Sequence, residues 1–474
     1  MKKRKFLETF TFGNLKPVQQ IVLTFAGVIL TGGFLLWLPI SNQAGAPVYP
    51  FLDHLFMSTS AVCVTGLTVL VPATQYTLFG LIVMIFLMQI GGLGLMTMIA
   101  AFVIYLGNKM TLSDRLSILE STNRPGFVDF KKFLLNIIKY TFVFESIGWA
   151  IMCIQLIPEY GLWTGMFKSL FTAVSAFCNA GLDVFGPVNM VPYVGNWIMS
   201  GTVAALIVMG GLGFGVWFDL SQASKSLLRK NQSFKRIIQH LKVHSKMAIV
   251  MTLTLIFSGM ALIFVIEYTN PSTLAPLPLD TKILASLFQS VTLRTAGFST
   301  LDIGLLRPAT QMIMIIYMFI GGSPGGTAGG IKTTTFAILI LMIVAELRSQ
   351  KNIIVFRRTI ERETFRKAFI IFFMLLSTLF IGILLLTLIE PTNGGVNGRF
   401  SWLALCFEAT SAIATVGLSM GVTPFLSAAG KMILIALMYL GRIGPLTLLL
   451  SIGNHTKHIK ANDMTYPSAN ILVG

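Results

Sequence analysis

Long apolar stretches alternate with short ones along this chain, and the alternation occurs four times. Eight stretches approach or exceed the roughly 20 apolar residues that a membrane-spanning helix needs. They are Ile21–Leu38, Tyr76–Leu106, Leu134–Ile157, Tyr193–Phe218, Met247–Ile266, Gln311–Val344, Ala368–Ile389 and Lys431–Ile452. Within each successive pair lies a shorter helical segment, near 50–64, 163–178, 281–294 and 400–414, too short to cross. The predicted unit is an outer helix, a short helix, a loop and an inner helix. Two spans per unit return the chain to its starting side, so all four units share one orientation. Their expected bounds are 1–108, 109–223, 224–349 and 350–474, the third with a Gly-rich intramembrane loop over 321–335.

Every short helix runs into a glycine. The segments read Phe56-Met-Ser-Thr-Ser-Ala-Val-Cys-Val-Thr-Gly66-Leu67, Phe171-Thr-Ala-Val-Ser-Ala-Phe-Cys-Asn-Ala-Gly181-Leu182, Phe288-Gln-Ser-Val-Thr-Leu-Arg-Thr-Ala-Gly297-Phe298 and Phe407-Glu-Ala-Thr-Ser-Ala-Ile-Ala-Thr-Val-Gly417-Leu418. The glycines recur at intervals of 115, 116 and 120 residues. Such a repeat sets the architecture. Non-helical backbone at membrane depth is tolerated only where it lines a cavity or is buried in protein. Four equivalent loops therefore suggest a shared central axis.

That arrangement suits a dehydrated cation. Backbone carbonyls can replace an ion's water shell, and turning consecutive carbonyls toward an axis demands backbone angles that glycine reaches freely. The expected ion-binding residues are Val64, Thr65, Gly66, Asn179, Ala180, Gly181, Thr295, Ala296, Gly297, Thr415, Val416 and Gly417. The C-terminal ends of the short helices would add partial negative charge.

Composition agrees with a membrane protein: 54% of residues are hydrophobic and 11% charged, with mean hydropathy +0.79. The net charge of +17 is unevenly spread. The N-terminus, the loops near 107–132, 219–246 and 346–367, and the tail after Asn454 hold 27 Lys/Arg, counting Lys139 at a loop edge, against nine Asp/Glu. The opposite side holds six against eight. The positive-inside rule places both termini in the cytoplasm, and the basic excess then needs no nucleic acid to explain it. Cys63, Cys153, Cys178 and Cys406 fall in apolar segments and read as small packing residues. There is no His-Glu-x-x-His or other catalytic constellation, so no enzyme activity is expected.

The copies also differ. The third is one residue shorter between Phe288 and Gly297 and carries Arg294 where the first two have cysteine. Arg294 is expected to point away from the axis and pair with Asp302 or Asp280; the other reading is direct tuning of ion occupancy. The inner helices share Gly91-Gly92-Leu93-Gly94, Gly210-Gly211-Leu212-Gly213, Gly321-Gly322-Ser323-Pro324 and Gly441-Arg442-Ile443-Gly444-Pro445. In the first two, close packing is the plain reading. The third continues through Gly325, Gly326, Gly329 and Gly330 to Lys332, and six Gly with a Pro in ten residues cannot stay helical. It is expected to form a loop beside the pore that can obstruct it, with Lys332 repelling cations. Arg442, an intramembrane charge, is a functional candidate by default; a structural role bonded to the loop's carbonyls is the other reading. Glu145 is expected to be structural, paired with Lys139. Asp53, Asp183 and Glu408 would concentrate cations outside, or are solvated surface.

These motifs resemble the Trk/Ktr/HKT superfamily of cation transporters, most closely its bacterial Ktr-type potassium uptake subunits, over nearly the whole chain. The resemblance implies an all-α membrane protein with eight transmembrane helices in four outer helix–pore helix–inner helix repeats around a pseudo-fourfold pore. It implies potassium uptake across the bacterial cell membrane, with Na+ as an activator and no covalent cofactor. It also implies a homodimer seated on a cytoplasmic, RCK-type nucleotide-binding ring. The gate elements of the family fall on Gly321–Thr335 and Arg442. A rival reading is an ion-coupled secondary carrier of small solutes; such folds commonly use inverted repeats, against which four same-direction copies argue.

Overall fold

The computed structural model describes residues 17–94, 130–230, 241–350, 353–356, 358–390 and 400–444. Apart from single-turn segments, it consists of fourteen helices and one two-stranded hairpin among these residues. Four helices are long and apolar enough to cross a membrane. These are α1 (Pro17–Trp37), α4 (Phe130–Tyr160), α8 (Val243–Glu267) and α12 (Arg362–Ile389). They occupy the outer-helix positions. Their outward faces are apolar too, as Phe142, Ile154, Phe257, Val265, Phe380 and Leu388 show. A helix hydrophobic all round belongs partly to the core and partly to lipid.

The short helices form where expected: α2 (Phe51–Val62), α5 (Leu162–Cys178), α9 (Leu279–Thr292) and α13 (Trp402–Ile413). They are the core of the molecule. Phe56, Phe171, Phe288 and Phe407, the residues that open the four motifs, are all fully buried. Pro50 and Pro278 precede α2 and α9, and the Ser401 side chain accepts from the amide of Ala404 to start α13.

One inner helix, the second, departs from expectation. α3 (Leu78–Leu93), α6 (Trp197–Gly211) and α14 (Ala428–Ile443) begin at side-chain caps from Thr77, Asn196 and Ser427. All three stop near a glycine with positive φ: Gly94 at 79°, Gly213 at 91° and Gly444 at 90°. After Gly213 the chain continues as α7 (Phe214–Lys230), bent by 93°. The expected unbroken span Tyr193–Phe218 is thus a broken one. Of the stretches foreseen over Tyr76–Leu106 and Lys431–Ile452, the described helices reach Leu93 and Ile443, and the residues beyond 94 and 444 lie outside the described ones. The third inner segment splits as foreseen, into α10 (Pro308–Phe319) and α11 (Thr333–Leu347). The antiparallel hairpin of β1 (Ile354–Val355) and β2 (Arg358–Thr359) then leads to α12.

Between units, packing is cyclic. α3 packs on α5, α6 on α9, α10 on α13, and α14 returns to α2. Each inner helix therefore leans on the short helix of the next unit, and the fourth closes the circle.

Candidate functional site

At the centre of this circle the four glycine loops meet. A methyl group built on Gly66 would lie 2.7 Å from the carbonyl oxygen of Ala180 and 3.1 Å from the Cα of Gly181. One on Gly181 would meet the Ala296 oxygen at 2.5 Å and the Gly297 Cα at 2.6 Å. One on Gly297 would meet the Val416 oxygen at 2.8 Å. One on Gly417 would press on the Thr65 oxygen and sit 2.7 Å from the Gly66 Cα. The order is again first, second, third, fourth, first. No side chain fits at any of the four positions.

The loops share a backbone. Two residues before each glycine, Val64, Asn179, Thr295 and Thr415 are left-handed, at φ 56°, 60°, 67° and 50°. Gly66, Gly181, Gly297 and Gly417 follow at 101°, 66°, 80° and 91°. Four non-glycine residues in this sparsely populated region mark strain that the surroundings must hold. In three copies a bond back into the short helix does so: Thr65 N to Ser60 O at 2.8 Å, Ala180 N to Ser175 O at 2.7 Å and Val416 N to Ser411 O at 2.8 Å. In the third copy Ala296 N reaches Thr292 O at 3.0 Å instead. The missing residue is absorbed in this tighter turn. All twelve residues expected from sequence are buried, and the four glycines with the residues just before them meet here.

On the side where α3, α6 and α14 end lies the segment between α10 and α11. It is pinned from several directions. Gly321 N donates to Ile331 O at 2.9 Å, and Thr333 N to Gly322 O at 2.9 Å. Ser323 N donates to Gly211 O at 2.9 Å, and the Ser323 and Thr333 hydroxyls lie 3.0 Å apart. Phe214 N donates to Gly325 O at 2.9 Å, and Gly326 N to Ser323 O at 3.3 Å. The Pro324 carbonyl and Gly330 complete close backbone contacts with Gly213 and Gly321. Gly329 abuts Ala414 and Thr415 of the fourth loop.

Thr327 is the hub. Its amide donates to Gly210 O at 3.3 Å and its hydroxyl to Phe177 O at 3.2 Å, both in the second unit. Its carbonyl accepts from Arg442 Nη1 of the fourth. In a ring of four, the second and fourth sectors face each other, so a residue held by both spans the space between them. Arg442 Nη2 also donates to Gly91 O in the first unit, with Gly92 O at 3.4 Å. Lys332 Nζ donates to Ala328 O at 2.6 Å. Both cations are held by backbone carbonyls; neither has an ion pair among the described residues.

Other charges behave differently from expectation. Arg294 has no pair with Asp302 or Asp280: its Nε and Nη2 lack any hydrogen-bond partner among the described residues. Asp302 instead accepts from Gly304 N at 2.9 Å, and Asp280 is exposed. Glu145 accepts from Gln89 Nε2 at 2.7 Å through both oxygens, not from Lys139. Asp53, Asp183 and Glu408 are buried, not solvated. Asp53 pairs with Lys431 at 2.6 Å, Asp183 accepts from Phe185 N at 2.9 Å, and Glu408 is filled by Ser419 and Thr423, each at 2.6 Å.

A circle of four helix-and-loop units in one polypeptide, closed on glycines, defines a class of membrane transport protein. The family model described as "TrkH: Cation transport protein" matches residues 11–456, and the chain belongs to that family. It is 38% identical over 462 residues to the Ktr system potassium uptake protein B of Bacillus subtilis, covering 97% of each chain. It is 36% identical to the potassium/sodium uptake protein NtpJ of Enterococcus hirae, over 97% of this chain and 98% of that one. The crystal structure of the potassium transporter TrkH from Vibrio parahaemolyticus superposes with a TM-score of 0.70 at 18% identity, over 94% of this chain and 86% of that one. That likeness establishes the fold. The chain is a multi-pass, all-α membrane protein.

Proposed function

We propose that the chain is the membrane subunit of a potassium uptake system, a pore crossing the bacterial cell membrane with both termini in the cytoplasm. Eight spans in four repeats, divided at 108, 223 and 349, build it. The observation that carries this reading is the closed glycine ring. Carbonyls of Thr65, Ala180, Ala296 and Val416 crowd one centre, beside their glycines. With the backbone of Val64, Asn179, Thr295 and Thr415, these residues stand in for the water shell of K+. The C-termini of α2, α5, α9 and α13 favour a cation there.

The segment over Gly321–Lys332 is the gate. Held by Arg442 and by the second unit, it lies across the path beside the ring, with the charges of Lys332 and Arg442 opposing an ion. Opening breaks the Arg442–Thr327 link, and a cytoplasmic RCK-type regulatory ring drives it. The working assembly is a homodimer with a pore in each protomer, and Na+ is an activator. No covalent cofactor takes part.

Gly66→Ser tests the filter. Its φ of 101° and the carbonyl at 2.7 Å leave no place for a side chain. Discrimination of K+ over Na+ should fall by about tenfold, a loss of roughly 1.4 kcal/mol. Competition of sodium and rubidium for uptake in transport-deficient cells measures it. Unchanged discrimination would remove the ring as the selecting element.

A further inference from the structure

The four sectors of the ring do not carry equal charge. At the position three residues before the glycine stand Cys63, Cys178, Arg294 and Ala414. Arg294 is 4% exposed. It follows directly on the C-terminal end of α9 and precedes Thr295, a member of the ring. A buried guanidinium is ordinarily met by a carboxylate. Two buried carboxylates, Glu267 and Glu408, are already occupied. Glu267 accepts from Asn270 at 2.6 Å, Thr273 at 2.8 Å, the Arg307 amide at 2.9 Å and Thr310 at 2.5 Å. Glu408 is saturated by Ser419, Thr423 and the Met420 amide. The charge of Arg294 is therefore left without an ion pair among the described residues.

Three short helices thus end in residues that carry no charge of their own, at Cys63, Cys178 and Ala414, whereas the fourth has a fixed cation at its tip. A site that passes ions must bind them firmly enough to strip water and weakly enough to release them. We propose that Arg294 sets this balance: its unneutralised charge holds the affinity of the ring for K+ down and so speeds departure of the ion. It is a positioning charge behind one sector, not a ligand, and the idea rests on the ring being the filter.

The test is rubidium and potassium uptake by the full-length protein, with its cytoplasmic partner, in transport-deficient cells. Half-saturation and maximal rate are read separately. For an unpaired charge beside an ion site in a protein-like dielectric, Arg294→Gln should lower half-saturation on the order of tenfold. Maximal rate should fall with it. Arg294→Lys, which keeps the charge, should stay near the parent on both. Half-saturation unchanged in Arg294→Gln, or lowered equally in Arg294→Lys, would overturn the proposal. Arg294→Met, close in volume to the stem, serves if the Gln variant does not reach the membrane. Absence of both from the membrane while Arg294→Lys accumulates would assign the side chain to folding, and the proposal would fall. If Gly66→Ser loses selectivity while Arg294→Gln keeps its half-saturation, this inference alone fails.

Discussion

The third inner segment and its three counterparts carry glycines at comparable depth and use them for different ends. In α3, α6 and α14, a methyl group on Gly91, Gly210 or Gly441 would collide with the carbonyl of Val62, Phe177 or Ile413. Those three carbonyls sit at one position, four residues before Gly66, Gly181 and Gly417. There, glycine lets an inner helix press on the end of its own short helix. Gly321 meets a carbonyl just as closely, but it is that of Gly329 in its own loop and not one at the end of a short helix. The third unit has exchanged a packing contact for a fold-back. Interfaces built from small residues fix backbones closely; a segment tied to the second and fourth units by separate single hydrogen bonds is freer to leave.

The sharpest way to break this comparison is to fill both kinds of glycine. Gly91→Ala and Gly441→Ala should cost about 1–3 kcal/mol or more through overpacking against backbone that has no slack. Most of the protein should be missing from the membrane fraction, as detergent-extracted yield would show. Gly321→Ala should spare the yield and disturb the loop, appearing as altered uptake. Equal losses of yield at all three would erase the distinction.

Removing residues 325–330 comes next. The deletion takes away Thr327, the residue held at once by Phe177, Gly210 and Arg442. Uptake without the regulatory partner should rise by about tenfold, the equivalent of one lost charge-assisted hydrogen bond. Basal flux at the parent level would take the gating role from the loop. Arg442→Gln should follow in the same direction with a smaller rise, since the loop keeps its bonds to the second unit. Lys332→Gln should be weakest, a few-fold at most, because the Lys332 ammonium bonds to Ala328 within its own loop. Basal flux ranked in any other order would redistribute the latch among these groups.

Much of this architecture was legible from residue order. The four Phe-to-Gly segments marked the buried short helices within about two residues, and the four glycines meet one another and the residues just before them. Apolar length misled at the second inner helix. Hydrophobic composition continues across Gly213, so a window of apolar residues reads through the break. The signal was the spacing: a second glycine three residues on, at Gly94, Gly213 and Gly444, each left-handed. Charge partners were harder. Gln89 and Glu145 are 56 positions apart, and Asp53 and Lys431 are 378 apart. Which sector touches which follows from the direction of the circle, and a linear pattern does not carry that direction. The same holds for Arg294, whose obvious local acids turned out to be exposed or engaged elsewhere.

Because α14 closes onto α2 within a single polypeptide, no quarter of the molecule is a copy obliged to match the others. A substitution in the gene changes one wall of the passage and leaves three alone. Evolution can therefore install a latch in one wall, a lone cation in the same one and a bent helix beside it. A channel assembled from four identical chains would receive every such change in quadruplicate.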